Sequence, residues 1–202
     1  MVGSAITGRR YRRSHARLPR PCDRRVRIVA GSARARRVLA PPGDDTRPTT
    51  DRVREAVFNS LTSMGVVDRA TVVDLFAGSG AMGLEALSRG AEHVTFVERD
   101  RRTAAVIRRN VDHLGFADRS TIVTGDVAAH IRKMEAVDLA ICDPPYSFEG
   151  WGALLDGLDA EVVVIESDRE VDPGPAWQLV RAKRYGSTFV TIVTTPSPAL
   201  PE

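Results

Sequence analysis

Three glycines with the spacing Gly78-x-Gly80-x-x-Gly83 stand between an apolar run and a helix-like run. Glycines in such a loop let the backbone turn tightly and let a ligand lie against it. Glu98 ends the next apolar run, where its carboxylate can accept hydrogen bonds from two ribose hydroxyls. The pattern predicts a dinucleotide or an S-adenosylmethionine (SAM) site; the alternative is a tight strand–helix turn without a ligand.

An acidic residue, Asp74, precedes the glycine loop by four positions. A pyrophosphate in the loop would meet like charge at this carboxylate, which is costly in a partly dry cleft. SAM has no phosphate and carries cationic ammonium and sulfonium groups, so an acid at this position favours SAM over a dinucleotide. The other interpretation is that Asp74 only accepts hydrogen bonds from loop amides.

A second chemical motif, Asp143-Pro144-Pro145-Tyr146, follows a later apolar run directly. In an open parallel sheet, ligands bind beyond the carboxyl ends of the strands, so this turn and the glycine loop are expected to share one crevice. The two prolines stiffen the turn and fix the Pro144 carbonyl. That carbonyl and the Asp143 carboxylate can hold the hydrogens of an exocyclic base amine, while Tyr146 offers a stacking face.

The elements that position these motifs are apolar runs alternating with helical patterns from residue 71 onward. Near-continuous apolar runs indicate a parallel sheet buried on both faces. The predicted strands of that sheet are Thr71–Phe76, His93–Glu98, Thr121–Thr124, Val137–Cys142 and Glu161–Ile165. The predicted helices between them are Ala81–Arg89, Arg101–Leu114, Val127–Met134 and Trp151–Leu158. Trp177–Tyr185 and Thr188–Thr194 predict a closing antiparallel hairpin.

The charge distribution separates the start of the chain from the rest. Residues 1–54 carry 15 Arg and 4 acidic residues, a balance of +11, and the remainder balances at −8, which together give the formal net charge of +3. This asymmetry predicts a basic arm that meets a polyanion. Val26–Ala30 and Val38-Leu39 predict a β-hairpin that presents Arg34, Arg36 and Arg37 to phosphate.

A helix is predicted between the hairpin and the sheet. Apolar residues at positions 53, 56, 57 and 61 follow the spacing of one helix face, and Thr49 or Thr50 suits the N-cap. Arg52 and Arg54 lie on this helix. We expect these arginines and Thr50 to close over SAM, to touch phosphate or to lie on a solvated face.

Composition excludes several classes of protein. The chain has 202 residues, of which 43% are hydrophobic and 27% charged, as in an ordinary globular domain. No run approaches 18 apolar residues, so a membrane-spanning helix is not expected. The two cysteines and four scattered histidines offer neither a disulfide framework nor a metal site, and free thiols suit a reducing compartment.

Taken together, these motifs resemble the class I SAM-dependent methyltransferases that modify amino groups of bases. More narrowly, the chain resembles the RsmD-type 16S rRNA (guanine-N2)-methyltransferases from about residue 27 to residue 193. The stretches that carry the resemblance are Arg27–Gly31, Arg47–Glu55 with Phe58-Asn59, Phe76–Ala86 and Asp143–Tyr146.

The resemblance implies an architecture and an activity. The fold would be α/β and Rossmann-like, with a seven-stranded, mostly parallel sheet, a C-terminal antiparallel hairpin and a small N-terminal β-hairpin. Residues 1–25 fall outside the resemblance, and their composition predicts a disordered basic tail. An RNA-binding hairpin extension would span 26–46, the methyltransferase domain 47–195 and a loose tail 196–202. The activity would be methyl transfer from SAM to N2 of guanine 966 in 16S rRNA of the small ribosomal subunit, by a cytoplasmic monomer without metal.

The resemblance also assigns roles to residues. The residues expected to contact SAM are Asp74, Phe76, Gly78, Gly80, Glu98, Asp126 and Val127. Those expected to orient the target base are Asp143, Pro144 and Tyr146, and those expected to bind RNA are Arg34, Arg36, Arg37 and Arg52. Asp126 would meet the adenine amino group of SAM; its other interpretation is a helix N-cap.

Three other functions remain open from the residues alone. The spacing does not choose guanine, so an amino-methyltransferase acting on adenine or cytosine in RNA or DNA is the first alternative. An NAD(P)-dependent oxidoreductase could use the same glycine loop, although it leaves Asp143–Tyr146 unexplained and the chain lacks a nearby Tyr-x-x-x-Lys pair. A catalytically silent RNA-binding protein is the third, and it would bind RNA without binding SAM.

Overall fold

The computed structural model describes residues 25–41 and 50–196, which form one large sheet, a small hairpin and five α-helices within those ranges. The strands are β1 Arg25–Arg27, β2 Arg37–Leu39, β3 Thr71–Leu75, β4 His93–Glu98, β5 Ser120–Thr124, β6 Val137–Cys142, β7 Ala160–Ser167, β8 Gln178–Tyr185 and β9 Thr188–Thr194. The helices are α1 Asp51–Ser63, α2 Ala81–Ser88, α3 Arg101–Leu114, α4 Val127–Ile131 and α5 Trp151–Asp156, with a 3-10 turn at Ala117–Arg119.

The large sheet has seven strands in the order β5-β4-β3-β6-β7-β9-β8. The first five of these strands pair in parallel, and β9 pairs antiparallel with both β7 and β8. The chain builds outward from β3 to β5 and then returns to place β6 on the other side of β3. This reversal is the topological switch point at which open α/β sheets bind ligands. The predicted Rossmann-like fold is confirmed.

Helices cover both faces of the sheet because alternate residues of each strand point to opposite sides. In β3, Val72 packs in the cluster under α1, α2 and α3, whereas Val73 packs in the cluster under α4 and α5. Asp100 is the N-cap of helix α3, since its side chain accepts from the Thr103 N–H, and Gly115 is its C-cap in the left-handed conformation. Both faces of the central strands are therefore buried under helices, as the apolar runs predicted.

The N-terminal hairpin is docked rigidly on α2. The N–H groups of Val29 and Ala30 donate to the Glu85 carboxylate at 2.7 and 3.0 Å. Gly31 has φ +79°, and a Cβ there would lie 1.8 Å from the carbonyl oxygen of Ser88. Strand β1 ends at Arg27, before the predicted end of the strand at Ala30. The Ile28 N–H still donates to the Arg36 carbonyl within the hairpin, but the N–H groups of Val29 and Ala30 are taken by Glu85 of α2 and not by β2.

Several element boundaries differ from prediction by one to three residues. Of the two residues predicted to suit the N-cap of α1, Thr50 is the one that caps it, since its side chain accepts from the Val53 N–H at 3.3 Å. Helix α4 ends at Ile131 and not at Met134. The expectations for residues 1–24, 42–49 and 197–202 lie outside the described residues. Within the described part of the chain, no helix is long and apolar enough to span a bilayer.

Candidate active site at the carboxyl ends of β3 and β6

The glycine loop and the Asp143–Tyr146 turn adjoin one another. Strands β3 and β6 are hydrogen-bonded neighbours, and the last residue of β3, Leu75, is paired in register with Cys142, the last residue of β6. The chain leaves both strands at the same edge of the sheet. The two motifs that the sequence singled out therefore lie side by side at the carboxyl ends of neighbouring strands, where their positions after parallel strands predicted a shared crevice.

The glycine loop is held in a conformation that few residues other than glycine adopt. Gly78 and Gly80 have φ of +54° and +77°, and Phe76 also has a positive φ of 62°. Nothing but the Phe76 carbonyl oxygen, at 3.8 Å, would lie near a Cβ at Gly78, so that backbone is open to a ligand. Gly83 differs, because a Cβ there would lie 2.4 Å from the Phe96 ring; this glycine permits packing of α2 on β4.

Asp74 supports the loop from below. Gly80 occupies the N-cap of α2 and has no side chain with which to cap it. The Asp74 carboxylate takes over that task, since its Oδ2 accepts from the Gly83 N–H at 2.9 Å. The amide-capping interpretation of Asp74 is thus confirmed for one oxygen, and a carboxylate has acceptor sites enough for a ligand as well.

The electrostatics around Asp74 favour a positively charged ligand. Burial raises the pKa of the Asp74 carboxyl well above its ordinary value, and the hydrogen bond from Gly83 lowers it only in part. The negative charges of Asp143 and Glu98 raise the pKa of Asp74 further. A cationic group bound among these carboxylates would relieve their repulsion, whereas a phosphate would add to it. The site chemistry therefore fits the ammonium and sulfonium groups of SAM.

Glu98, at the end of β4, connects the loop to the next turn. Its Oε2 accepts from the Gly78 N–H at 3.0 Å, and its Oε1 accepts from the Asp100 N–H at 2.9 Å. The carboxylate is half-buried, so it lies at the rim of the crevice. The Glu98 carboxylate thus links the glycine loop to the turn after β4, and a ligand hydroxyl can still reach it.

Asp126 and Val127 lie after β5, on the far side of β4 from the glycine loop. The Asp126 side chain accepts from the Ala129 N–H at 3.0 Å and so forms the N-cap of α4. Asp126 is exposed and Val127 is buried. The N-cap interpretation is confirmed, and the contact of these residues with an adenine stays a prediction.

The Asp143–Tyr146 turn presents one half-buried carboxylate and one exposed ring. Asp143 is half-buried, Pro144 is buried, and Tyr146 is 40% exposed, which leaves its ring available for stacking. The Tyr146 hydroxyl lies 3.4 Å from Thr188 Oγ1 at the start of β9. The turn is closed by a hydrogen bond of 2.8 Å from the Phe148 N–H to the Pro145 carbonyl.

Two residues that the sequence analysis missed fix this turn. Phe148 meets Phe76 edge to face, with ring centroids 5.3 Å apart, and so joins the two turns of the crevice. Arg169, beyond β7, donates to the carbonyl oxygens of Phe148 at 3.0 Å and Tyr146 at 3.5 Å. The aromatic residue close after the prolines is a signal that could have indicated Phe148. No local pattern indicates Arg169, because its partners are more than twenty residues away in sequence.

Asn110 of α3 is a third missed residue, and it connects the hairpin to the glycine loop. The side chain is 1% exposed. Its Oδ1 accepts from the Leu39 N–H at 2.8 Å, and its Nδ2 donates to the carbonyl oxygens of Leu39 and Ser79 at 2.9 and 3.0 Å. One buried amide thus holds β2 and the glycine loop at a fixed separation.

The arginines predicted to meet RNA are placed differently from one another. Arg34, Arg37 and Arg52 have exposed side chains. Arg36 is also exposed, but its guanidinium donates to the carbonyl oxygens of His113 and Leu114 at the end of α3. This contact gives hydrogen-bond donors to carbonyl oxygens that have no partner within the helix. It also places a positive charge at the negative end of the helix dipole.

Arg54 corrects one expectation. Its position on the predicted helix suggested phosphate contact, closure over SAM or a solvated face, but Arg54 is 0% exposed. Its Nη2 donates to Asp51 Oδ1 at 2.8 Å and to the carbonyl of Arg27, and its Nε lies 3.7 Å from Glu85 Oε2. Arg54 is a structural residue of the interface between the hairpin, α1 and α2.

No cluster suited to a metal ion accompanies this crevice. Among residues 25–41 and 50–196, no group of three or more His, Cys, Asp and Glu side chains is arranged to hold one.

Comparisons with known proteins agree with this geometry. The family profile described as Conserved hypothetical protein 95 matches residues 26–194. The chain is 36% identical over 171 residues to the Ribosomal RNA small subunit methyltransferase D of Escherichia coli (strain K12), covering 80% of this chain and 85% of that protein. It is also 36% identical over 181 residues to YlbH of Bacillus subtilis (strain 168), covering 83% and 97% of the two chains.

A solved structure supports the same relationship. The Escherichia coli protein yhhF superposes with a TM-score of 0.76 and 31% sequence identity, covering 86% of this chain and 99% of that one. The family match spans most of the chain, including the hairpin, the glycine loop and the Asp143–Tyr146 turn. The chain therefore belongs to the Conserved hypothetical protein 95 family, and the resemblance to the RsmD-type methyltransferases is confirmed.

Proposed function

We propose that this protein transfers a methyl group from SAM to the exocyclic N2 amine of guanine 966 in 16S rRNA of the small ribosomal subunit. The observation that carries the proposal is the pairing of β3 with β6, which joins an acid-lined glycine loop to a turn rich in base-amine acceptors. Membership of the family supports the proposal, because a relative named for small-subunit rRNA methylation matches over 80% of the chain.

The cofactor half of the crevice would be formed by residues at the ends of β3, β4 and β5. When bound, SAM supplies an electrophilic methyl group on a sulfonium. The carboxylate of Asp74 and the open backbone at Gly78 and Gly80 would hold the methionine half, with Phe76 beside it. Glu98 would accept from the ribose hydroxyls. Asp126 would accept from the adenine amine, and Val127 would pack beneath the ring.

The target half would hold the base amine at the end of β6. An aromatic amine is a poor nucleophile because its lone pair is delocalised into the ring. The Asp143 carboxylate and the Pro144 carbonyl would accept its two hydrogens, so that the nitrogen lone pair can point away from the ring plane. Tyr146 would stack on the base after it leaves its helix. Asp143 would hold the proton that the amine releases.

RNA would be held on the basic hairpin and the start of α1. The exposed guanidinium groups of Arg34, Arg37 and Arg52 would contact phosphate, and Arg36 would add its charge while holding the hairpin on α3. We propose that a monomer acts on the small subunit, since no role above needs a residue from a second chain. We place the reaction in the cytoplasm, because a relative from Escherichia coli is named for methylation of small-subunit rRNA.

The proposal is tested by incubating the protein with labelled SAM and either naked 16S rRNA or small subunits purified without this modification. The product is digested to nucleosides and the modified position is mapped. Modified N2 of guanine at a single position supports the proposal. A label on adenine or cytosine would establish the alternative amino-methyltransferase, and no label with intact RNA binding would leave a silent RNA-binding protein.

The Asp143 role is tested by Asp143→Ala. By analogy with donors aimed at developing charge, removing this acceptor lowers turnover by about 10²–10³-fold. SAM affinity measured by calorimetry stays within a few-fold of the wild type, because Asp74 and Glu98 remain. Asp156→Ala, at an exposed position of α5, is the matched control and keeps full activity. Full activity in the Asp143 variant would contradict the proposed mechanism.

A further inference from the structure

A groove of about 580 Å³ lies between α1 and the edge strand β8, apart from the crevice described above. Its helix wall is formed by small and polar residues, including Ala56, Asn59 and Ser63. Its strand wall is formed by Arg181, Lys183 and Tyr185, which alternate along β8 and so project to the same side. None of the roles assigned above uses this groove.

The groove carries positive charge and hydrogen-bond donors. Arg181 and Lys183 are exposed, and the lining includes no acidic residue. Arg181 Nη1 donates to Ser60 Oγ at 2.7 Å across the groove, and Lys183 Nζ lies 5.2 Å from the centroid of the Tyr185 ring. Asn59 accepts from Arg89 through Oδ1, so its remaining hydrogen-bonding group is an NH2 donor. Cations, donors and an aromatic face are the groups that bind a single nucleic-acid strand.

The groove leads toward the candidate active site. Arg54 meets Glu85 and Asn59 meets Arg89, so α1 runs alongside α2 in the same direction. Helix α2 begins at the glycine loop; the first turn of α1, which bears Arg52, is therefore the end of α1 nearer the crevice. Arg52, Ala56, Asn59 and Ser63 recur at helical spacing and share one face of α1.

The strand wall leads to the same end of the sheet. Strand β8 runs toward the turn at residues 186–187, and the first residue of β9 beyond it, Thr188, lies beside the Tyr146 hydroxyl. Phe189 pairs in register with Ser167, the last residue of β7. The groove thus has one end at the rim where Tyr146 would stack on the target base, and the other near the amino ends of the parallel strands.

We infer that this groove binds the phosphate backbone of the single RNA strand that flanks the target nucleotide. The inference rests on the proposed function and adds a second contact surface to the hairpin. The exposed edge of β8 also includes Leu179 and Val180, at 56% and 46% exposure, which alone would suit a protein partner. Arg181 and Lys183, which follow them along β8, and the absence of acids among the lining residues favour a polyanion.

The test uses the double variant Arg181→Gln/Lys183→Gln, in which two exposed cations become neutral. The matched control is Arg132→Gln/Lys133→Gln, also one exposed arginine and one exposed lysine, located after α4 on the other face of the sheet. The dissociation constant of a 16S rRNA fragment is measured as a function of salt. The groove variant weakens binding and lowers the slope of log K against log salt by about 1.4, the value for two lost contacts to a single strand. The control retains the wild-type slope.

A gain-of-contact variant tests the same inference from the opposite direction. Ser63→Lys adds a cation at an exposed lining position near the end of α1 and steepens the salt slope by about 0.7. Equal affinities and slopes for wild type, groove variant and Ser63→Lys would overturn the inference. The inference would also be overturned if the groove variant methylated naked rRNA normally and failed only on assembled subunits, because the groove would then bind a protein.

The proposed function is judged separately in the same experiments. SAM affinity and turnover at saturating RNA stay at wild-type values in the groove variant, and only the KM for RNA rises. If the wild type methylates its RNA and the groove variant shows no change in KM or slope, the groove inference fails alone. If the wild type neither binds nor methylates rRNA, the proposed function fails and the groove inference fails with it.

Discussion

Two buried carboxylates, Asp74 and Glu85, organise two different regions of this protein. Asp74 is 2% exposed and Glu85 is 0% exposed, and both accept from backbone N–H groups. Asp74 accepts from Gly83 in the first turn of α2, whereas Glu85 accepts from Val29 and Ala30 in the segment after β1. Glu85 is surrounded by arginines: Arg89 Nε lies 2.8 Å from its Oε1 and Arg54 Nε 3.7 Å from its Oε2. Asp74 has carboxylates as its charged neighbours, namely Asp143 and Glu98.

The difference separates a structural site from a ligand site. The charge of Glu85 is balanced within the chain, so the hairpin that it holds is complete without a ligand. The charge of Asp74 is opposed by its neighbours, so this region gains stability when a cation arrives. A buried acid therefore reveals its role through the sign of the charges around it, and not through its burial or its hydrogen bonds to backbone, which the two residues share.

The largest expected effect follows from neutralising Glu85, the acid whose charge is balanced by arginines. Glu85→Gln leaves Arg54 buried with less opposing charge and turns an amide NH2 toward N–H donors that need an acceptor. Removing one partner of a buried ion pair costs about 3–5 kcal/mol, so chemical denaturation should show a loss of this size. Glu92→Gln, an exposed glutamate, is the control and should stay within about 0.5 kcal/mol of the wild type. An unaltered unfolding midpoint in Glu85→Gln would show that the two acids do not differ as described.

Neutralising Asp74, whose charged neighbours are carboxylates, should not lower the stability of the protein. Asp74→Asn keeps an oxygen for the Gly83 N–H and removes a charge that burial and two carboxylates disfavour. The ligand-free variant should therefore melt no lower than the wild type, and higher by about 2–4 °C for each kcal/mol of relieved repulsion. SAM affinity should fall by about 10–150-fold, which corresponds to the loss of a charged hydrogen-bond partner. A lower melting temperature with unchanged SAM affinity would contradict the comparison.

The same residue predicts a pH dependence. Because the pKa of Asp74 is raised in the folded protein, the folded state binds more protons than the unfolded state between the two pKa values. The repulsion involving Asp74 is present above the raised pKa and disappears as the pH falls through it, so this contribution stabilises the ligand-free protein toward acid. SAM affinity should weaken in the wild type as the pH falls through the raised pKa of Asp74. The Asp74→Asn variant should show a flatter pH profile of SAM affinity, measured by calorimetry.

Much of the fold could be predicted from the sequence because its signals are local. Near-continuous apolar runs such as Val137–Cys142 indicate strands buried on both faces, and Gly115 marks the end of α3. The adjacency of the glycine loop to the Asp143–Tyr146 turn followed from the parallel order of the strands. The departure of Val29 and Ala30 from the hairpin could not be predicted, because their N–H groups bond to a carboxylate more than fifty residues away.

The candidate site was only partly predictable for the same physical reason. Asp74, Glu98 and Asp143 stand next to recognisable loops, and their positions after strands indicate their location. The sequence does not distinguish Arg54 from the many surface arginines of this chain, and nothing nearby in sequence indicates its burial against Glu85. Asn110 has partners 71 and 31 residues away, so its bridging role requires the folded chain.

Asn110 offers a way to couple the two regions experimentally. Asn110→Ala removes one acceptor and two donors from half-buried backbone groups of Leu39 and Ser79, at a cost of about 1–3 kcal/mol. Hydrogen exchange should quicken both in the hairpin and in the glycine loop, and SAM affinity should fall by less than about tenfold. Asn59→Ala, at an exposed amide that touches neither region's backbone, is the matched control. Faster exchange confined to the hairpin would mean that the two regions are independent.

The smallest effect should distinguish the arginines of the hairpin from one another. Arg36 donates to carbonyl oxygens at the end of α3, where a cation contributes about 0.3–1 kcal/mol. Arg36→Gln should therefore lower stability slightly and change the salt slope of RNA binding little. Arg34→Gln and Arg37→Gln should leave the melting temperature unchanged and each lower the slope by about 0.7–0.9. If all three variants lowered the slope equally, the Arg36 guanidinium would have to leave α3 when RNA binds, and the hairpin would be a moving clamp instead of a rigid platform.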